Sequence, residues 1–189
     1  MSLPTTPSQT VGPFLHIGLD WLVTDNLAGP GVSGERIVVE GRIVDAGGEP
    51  VGDALVEIWQ ANAQGRYAHP DDAQDKPLEP GFSGFGRVAT DDDGRFRFTS
   101  IKPGRVPAPN GGQQAPHLNV TIFMRGMLKQ LLTRMYFPEE ATNADDPVLS
   151  SVPAARRETL IASPVGDRAG ALRWKVILQG AGETVFFDC

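Results

Sequence analysis

The chain has 189 residues, 40% of them apolar and 21% charged, with a net charge of −6. That length suits one domain burying roughly 70% of its unfolded surface, and the composition excludes a disordered chain. No basic stripe is left to neutralise nucleic-acid phosphates, and no run approaches the roughly 18 apolar residues of a membrane span.

The N-terminus lacks the basic start and apolar core of a signal peptide, and the lone Cys189 permits no intrachain disulfide. A cytoplasmic protein is therefore expected. Residues 1–13 are polar and proline-rich; Pro7 and Pro13 resist helix, so this stretch reads as an extended arm. Phe14, Leu15 and Ile17 are expected to anchor its base.

Strands follow at short spacing. Residues 36–44 are β-branched and end at Asp45-Ala46-Gly47-Gly48, a turn. Residues 54–60 alternate, with Glu57 either half-buried at an edge or paired with a cation. Residues 61–84 hold several prolines and glycines and exceed the ~12–15 residues beyond which structureless loops are usually functional.

Residues 86–90 and 95–99 flank Asp91-Asp92-Asp93-Gly94, a hairpin signal. Three acids before a glycine also resemble a calcium loop, but the later ligands of an EF-hand are absent, and a turn is expected. Apolar runs at 117–124 and 131–137 come next, then an acidic stretch, 139–157, with room for one short helix. Segments 160–162, 172–178 and 184–187 close the chain, and Trp174, Val176 and Leu178 alternate with Arg173, Lys175 and Ile177. With 22 glycines and 16 prolines, and no helix long enough for parallel crossovers, an all-β antiparallel sandwich with long loops and little helix is predicted, a single domain over 1–189.

Candidate chemistry is sparse. No glycine-rich phosphate loop or Gly-x-Ser-x-Gly elbow is present. The chain has three histidines and two tyrosines. In a strand His117 and Asn119 share a face; two imidazoles there would make an edge for a transition metal, whereas the amide of Asn119 is a weak, neutral donor. Tyr67 and His117 are a bare pair of ligand types, readable as a metal edge or as packed, hydrogen-bonded side chains. Arg134 sits among Leu132, Met135, Tyr136 and Phe137, where an unpaired charge is costly. It either pairs with a carboxylate or faces a cleft and receives an anion.

Glu57-Ile58-Trp59-Gln60-Ala61-Asn62-Ala63-Gln64-Gly65-Arg66-Tyr67, Gly84-Phe85-Gly86-Arg87 and Ile101-Lys102-Pro103-Gly104 resemble the intradiol ring-cleaving dioxygenases. The opening 6–14 and closing 182–188 are similar to the alpha-type subunit of that family's heteromeric members, and the likeness runs nearly the whole chain.

Family members hold a non-haem ferric ion, Fe(III), with two tyrosines and two histidines, in heteromers on the beta subunit. Matched by position, Tyr67 and His117 keep one ligand of each kind. The second tyrosine falls at Val106, the second histidine at Asn119, and an assisting arginine at Gln114. The resemblance therefore implies no metal bound by this chain, no catalytic residue in it, and a beta-subunit partner in a higher-order alpha–beta oligomer. It further implies a pocket for a small aromatic acid and O2 at the alpha–beta junction, lined from this side by Thr10, Gly12, Pro13 and Arg134. The rival readings are a self-sufficient dioxygenase recruiting His69 or Tyr136 as ligands, and a non-catalytic carrier of small aromatic acids.

Overall fold

The computed structural model describes residues 4–12, 14–109 and 111–188. Alternation of apolar and polar residues writes most of the strands: β1 (Arg36–Val44), β2 (Leu55–Trp59), β3 (Phe85–Ala89) and β4 (Arg95–Ile101). The short β5 (Val106–Pro107) and β6 (Gln113–Gln114) precede β7 (His117–Phe123) and β8 (Leu131–Tyr136). β9 (Ser163–Pro164) and β10 (Ala171–Ile177) complete the set.

Two four-stranded sheets form, ordered β4-β1-β10-β9 and β3-β2-β7-β8, with β5-β6 as a separate ribbon. Ile37, Val39, Ile43, Phe98, Trp174 and Val176 of the first sheet pack against Val56, Ile58, Leu118, Val120, Ile122 and Met135 of the second. Each such side chain contributes about 1.5–3 kcal/mol on burial. The expected sandwich is thus the architecture. One ladder departs from antiparallel pairing: β1 and β10 run parallel, from Val38 opposite Ala171 to Val44 opposite Ile177. Most of the chain lies between those two strands, so a long crossover is available without a helix.

Local chemistry decides the smaller features. Asp91 Oδ1 accepts from the Asp93 and Arg95 amides, and Gly94 adopts φ 70°, so the acidic triplet is the β3–β4 turn. Glu57 lies opposite Arg87 and the two are ion-paired. The acidic stretch yields α2 (Pro147–Ser151), with proline in its first turn and Asp146 accepting from the Val148 and Leu149 amides as N-cap.

The sequence pattern missed α1 (Phe14–Gly18), a five-residue turn of helix after the arm. Segment 184–187, expected as a strand, makes a single bridge, Leu132 to Phe187, and Thr184 Oγ1 accepts from the Ile177 amide.

Candidate functional site

β2, β7 and β8 bring the family's ligand positions together. Their register sets Trp59 beside Asn119, Asn119 opposite Arg134, and His117 opposite Tyr136. These residues share the face of the sheet turned away from Leu118, Val120 and Met135, which lie in the core. Tyr67 reaches the same place from the long loop, its ring stacked on Trp59 at 5.6 Å between centroids. Val106 enters from β5, buried and paired with Gln114 of β6.

Most polar groups there have a hydrogen-bond partner. Asn119 Nδ2 donates to Tyr67 Oη at 3.2 Å and to the Trp59 carbonyl at 3.4 Å. His117 is 3% exposed, and its Nδ1–H donates to the Ala115 carbonyl at 2.7 Å, which leaves Nε2 as a lone-pair acceptor. That nitrogen is buried without a partner. Arg134 Nη1 donates to Gln114 Oε1 at 2.7 Å and to Tyr136 Oη at 3.4 Å. Tyr136 in turn donates to Asp146 Oδ1 at 3.1 Å, and Asp146 Oδ2 accepts from the Ala115 amide at 2.7 Å.

Burial governs the protonation of this cluster. It pushes the His117 imidazole down to about 4, aided by the nearby Arg134 charge, so the ring is neutral at pH 7. Burial also raises the Tyr67 phenol, against the lowering effects of the Asn119 hydrogen bond and Arg134. Tyr136 is raised further still, again by burial first.

The donor set does not fit a ferric ion. Valine has no donor atom, and the Asn119 amide points an N–H at the Tyr67 oxygen, where a metal would have to approach. The proposed substitutes do not complete the set. Tyr136 is fully buried and committed to Asp146, and His69 lies out on the rim, accepting from the Asp71 amide and edge-on to Trp59. Among the described residues, no three His, Cys, Asp or Glu side chains cluster as a metal site.

A cleft of about 540 Å³ opens over the degenerate centre, walled by Trp59, Tyr67, Val106 and Pro107, with Gln114 at its base and Asp72 at its rim. The other site residues lie elsewhere. Thr10 Oγ1 accepts from the Gly126 amide at 2.7 Å, which ties the arm to the β7–β8 turn. Gly12 has nothing within 4 Å of where a Cβ would stand. Pro13 lies outside the described residues.

Arg134, which the resemblance sets in the substrate pocket with the arm, lies on β8, whereas the arm is tied to the β7–β8 turn at Gly126. It stands at the fourth cross-strand pair from that turn, and its partners are Gln114 and Tyr136. Two cations lie in the loop that the arm reaches: Arg125, which neighbours Gly126, is largely exposed and pairs with Asp53, and Lys129 shares a groove with Gln9 and Val11. Sequence reasoning missed Arg125; the available signal was an Arg-Gly step in the loop joining two apolar strands.

Residues 22–180 match the dioxygenase family. The chain is 42% identical over 201 residues to a protocatechuate 3,4-dioxygenase alpha chain of Burkholderia cepacia, covering 99% of this chain and 98% of that one. It is 44% identical over 200 residues to the alpha chain of Pseudomonas putida, covering 98% and 97%. A protocatechuate 3,4-dioxygenase beta chain of Burkholderia cepacia is 44% identical over 161 residues, covering 84% of this chain and 66% of the beta chain. In fold, the chain superposes on the 3-chlorocatechol 1,2-dioxygenase of Rhodococcus opacus with a TM-score of 0.65 at 22% identity, covering 93% of this chain and 67% of that one.

Proposed function

The chain belongs to the dioxygenase family of intradiol ring-cleaving enzymes, and on that premise we propose that it is the alpha subunit of a protocatechuate 3,4-dioxygenase. With its beta subunit it takes part in cleaving protocatechuate with O2 to 3-carboxy-cis,cis-muconate, a step of aromatic catabolism in the β-ketoadipate pathway. The bond between the two hydroxyl-bearing carbons breaks, both oxygen atoms enter the product, and each of those carbons becomes a carboxylate.

The family's iron is assigned to the beta subunit. The observation that carries this division of labour is chemical: of the four matched ligand positions, Val106 offers no donor and Asn119 donates toward Tyr67 rather than coordinating. The alpha chain's part is to close one side of the substrate pocket. Thr10 and Gly12 supply backbone and hydroxyl surface, with Pro13 next in the chain. Arg125, at the turn that Thr10 caps, is the cation placed to meet the substrate carboxylate. This assigns to Arg125 the part that the resemblance gave to Arg134.

Co-expression decides the reading. Iron content and turnover are measured for this chain alone, for a beta chain alone and for the mixture. The expected result is iron that follows the beta chain and full activity only in the mixture; stoichiometric iron with turnover in this chain alone would overturn it. The carrier alternative draws no support from the relatives, whose names are those of ring-cleaving enzymes.

A further inference from the structure

Alternation in the first sheet buries Val39, Ile43, Phe96, Phe98, Trp174 and Val176 and turns the residues between them outward. On β4, β1 and β10 these outward residues form two rows. Arg97, Glu40 and Arg173 make one, and Arg95, Arg42 and Lys175 make the other. Five of the six are cations, in a chain with 23 acidic residues against 17 Lys and Arg. Alternation calls for polar side chains here, but not for one sign of charge. Like charges directly opposite one another destabilise a sheet, and Arg42 stands opposite both Arg95 and Lys175.

Local carboxylates answer only part of this charge. Glu40 is shared by Arg168 at 2.9 Å and Arg173 at 3.8 Å, and Arg95 pairs with Asp93 at 2.6 Å. Asp91, at the edge of the face, accepts from the Asp93 and Arg95 amides. Arg42 donates to the Asp93 carbonyl. Among the described residues, Arg42, Arg97 and Lys175 have no carboxylate within 4.0 Å. A depression of about 800 Å³ lies over Glu40 and the four arginines of the two rows.

The opposite charge adjoins it. Where β1 and β10 begin, a groove of about 310 Å³ is bordered by Glu35, Glu139 and Asp167, all exposed. None of the three is ion-paired among the described residues. The two cations of the groove are already engaged, Lys102 by Glu140 at 2.8 Å and Arg168 by Glu40. Because Arg168 borders the groove and reaches Glu40 on the face, the two patches are neighbours. A two-fold axis between such neighbours sets each copy's basic face on the other's acidic groove, and both contacts close in one dimer. A uniformly charged polyanion fits less well, since Glu40 stands in the middle of one row and the Asp91–Asp93 turn at the edge.

We propose that the outer face of β4, β1 and β10 is a self-association surface, on which a second copy of this chain docks with its Glu35, Glu139 and Asp167 groove against Arg42, Arg97 and Lys175. The proposal does not rest on the ring-cleavage assignment.

Sedimentation velocity of the purified full-length chain tests it. At about 20 mM salt the chain is dimeric at roughly 100 μM, and about 0.5 M salt raises the dimer Kd at least roughly tenfold. Arg42→Glu with Arg97→Glu leaves a monomer, and so does Glu35→Lys with Asp167→Lys. Mixed one to one, the two double variants dimerise again, because each reversed patch then meets a reversed one and each native patch a native one. Loss of fold gives no such rescue. A monomer at low salt, a dimer that high salt or either double variant leaves intact, or a mixture that stays monomeric would each overturn the proposal. Should a double variant fail to fold by circular dichroism, Lys175→Glu mixed with Asp167→Lys decides in the same way. No partner chain and no iron enter this measurement, so its failure leaves the ring-cleavage assignment standing, and the iron test leaves this one standing.

Discussion

Arg125 and Arg134 lie nine positions apart in different surroundings. Arg125 stands on the turn that receives Thr10, out in solvent beside Asp53; Arg134 is engaged with Gln114 and Tyr136. In the assembled enzyme Arg125→Ala therefore raises KM for protocatechuate about tenfold, the worth of roughly 1.4 kcal/mol, with little change for uncharged catechol. Steady-state kinetics on the two substrates checks this; an equal rise for both would remove the carboxylate role. His117 makes a separate claim. Its folded-state pKa of about 4 lies below the unfolded value of 6.5, so the unfolded chain binds the extra proton between those values. The stabilisation is fully present above pH 6.5 and is lost as pH falls toward 4, on the order of 3 kcal/mol in all. Denaturant titrations across that window should show the fall in wild type and a flatter profile in His117→Gln.

At the scale of elements, close approach between strands is as decisive as pattern. Gly41 of β1 lies opposite Phe96 of β4, and a Cβ at position 41 would come within 2.0 Å of Phe96 Cζ. The glycine thus lets the Phe96 ring lie across β1 into the core, where it is 4% exposed. Gly41→Ala forces the ring to move and costs about 1–3 kcal/mol. Thermal unfolding should show a lower midpoint, and Phe96→Leu should recover part of the loss in the double variant. Asp146 works at the same scale: one buried carboxylate caps α2, accepts from Ala115 and holds Tyr136, and so binds β8 to the segment behind it.

For the whole molecule, the relevant surface is the one left uncovered. Trp21 is 79% exposed, Ile17 62% and Leu128 63%, and Leu128 lies in the β7–β8 loop to which the arm is tied. Exposed large apolar side chains fit an interface with a partner chain better than permanent contact with water. Of the three tryptophans, Trp174 is buried and Trp59 is stacked on Tyr67, so iodide quenching reports mainly Trp21. Adding a beta chain should reduce that quenching, and the reduction should vanish in Trp21→Phe. Unchanged quenching on assembly would place the partner elsewhere.

Most of the sandwich was legible in the chain because alternation at period two, turn residues and buried β-branched runs are local signals that agree with one another. Between Arg36 and Tyr136 the longer strands lie where the pattern set them, while the two-residue β5 and β6 fall in a stretch read as loop; the missing donors at Val106 and Asn119 needed only a position-by-position comparison. The parallel pairing of β1 with β10, the helical turn at Phe14–Gly18 and the company kept by Arg134 were not legible. Sequence alone determined the fold class, the family and the side-chain chemistry at each ligand position. Tertiary structure decided which cations stand near the arm and which one donates to Gln114, because that depends on strand register and on loops meeting across the sheet, and neither leaves a local trace in the order of residues.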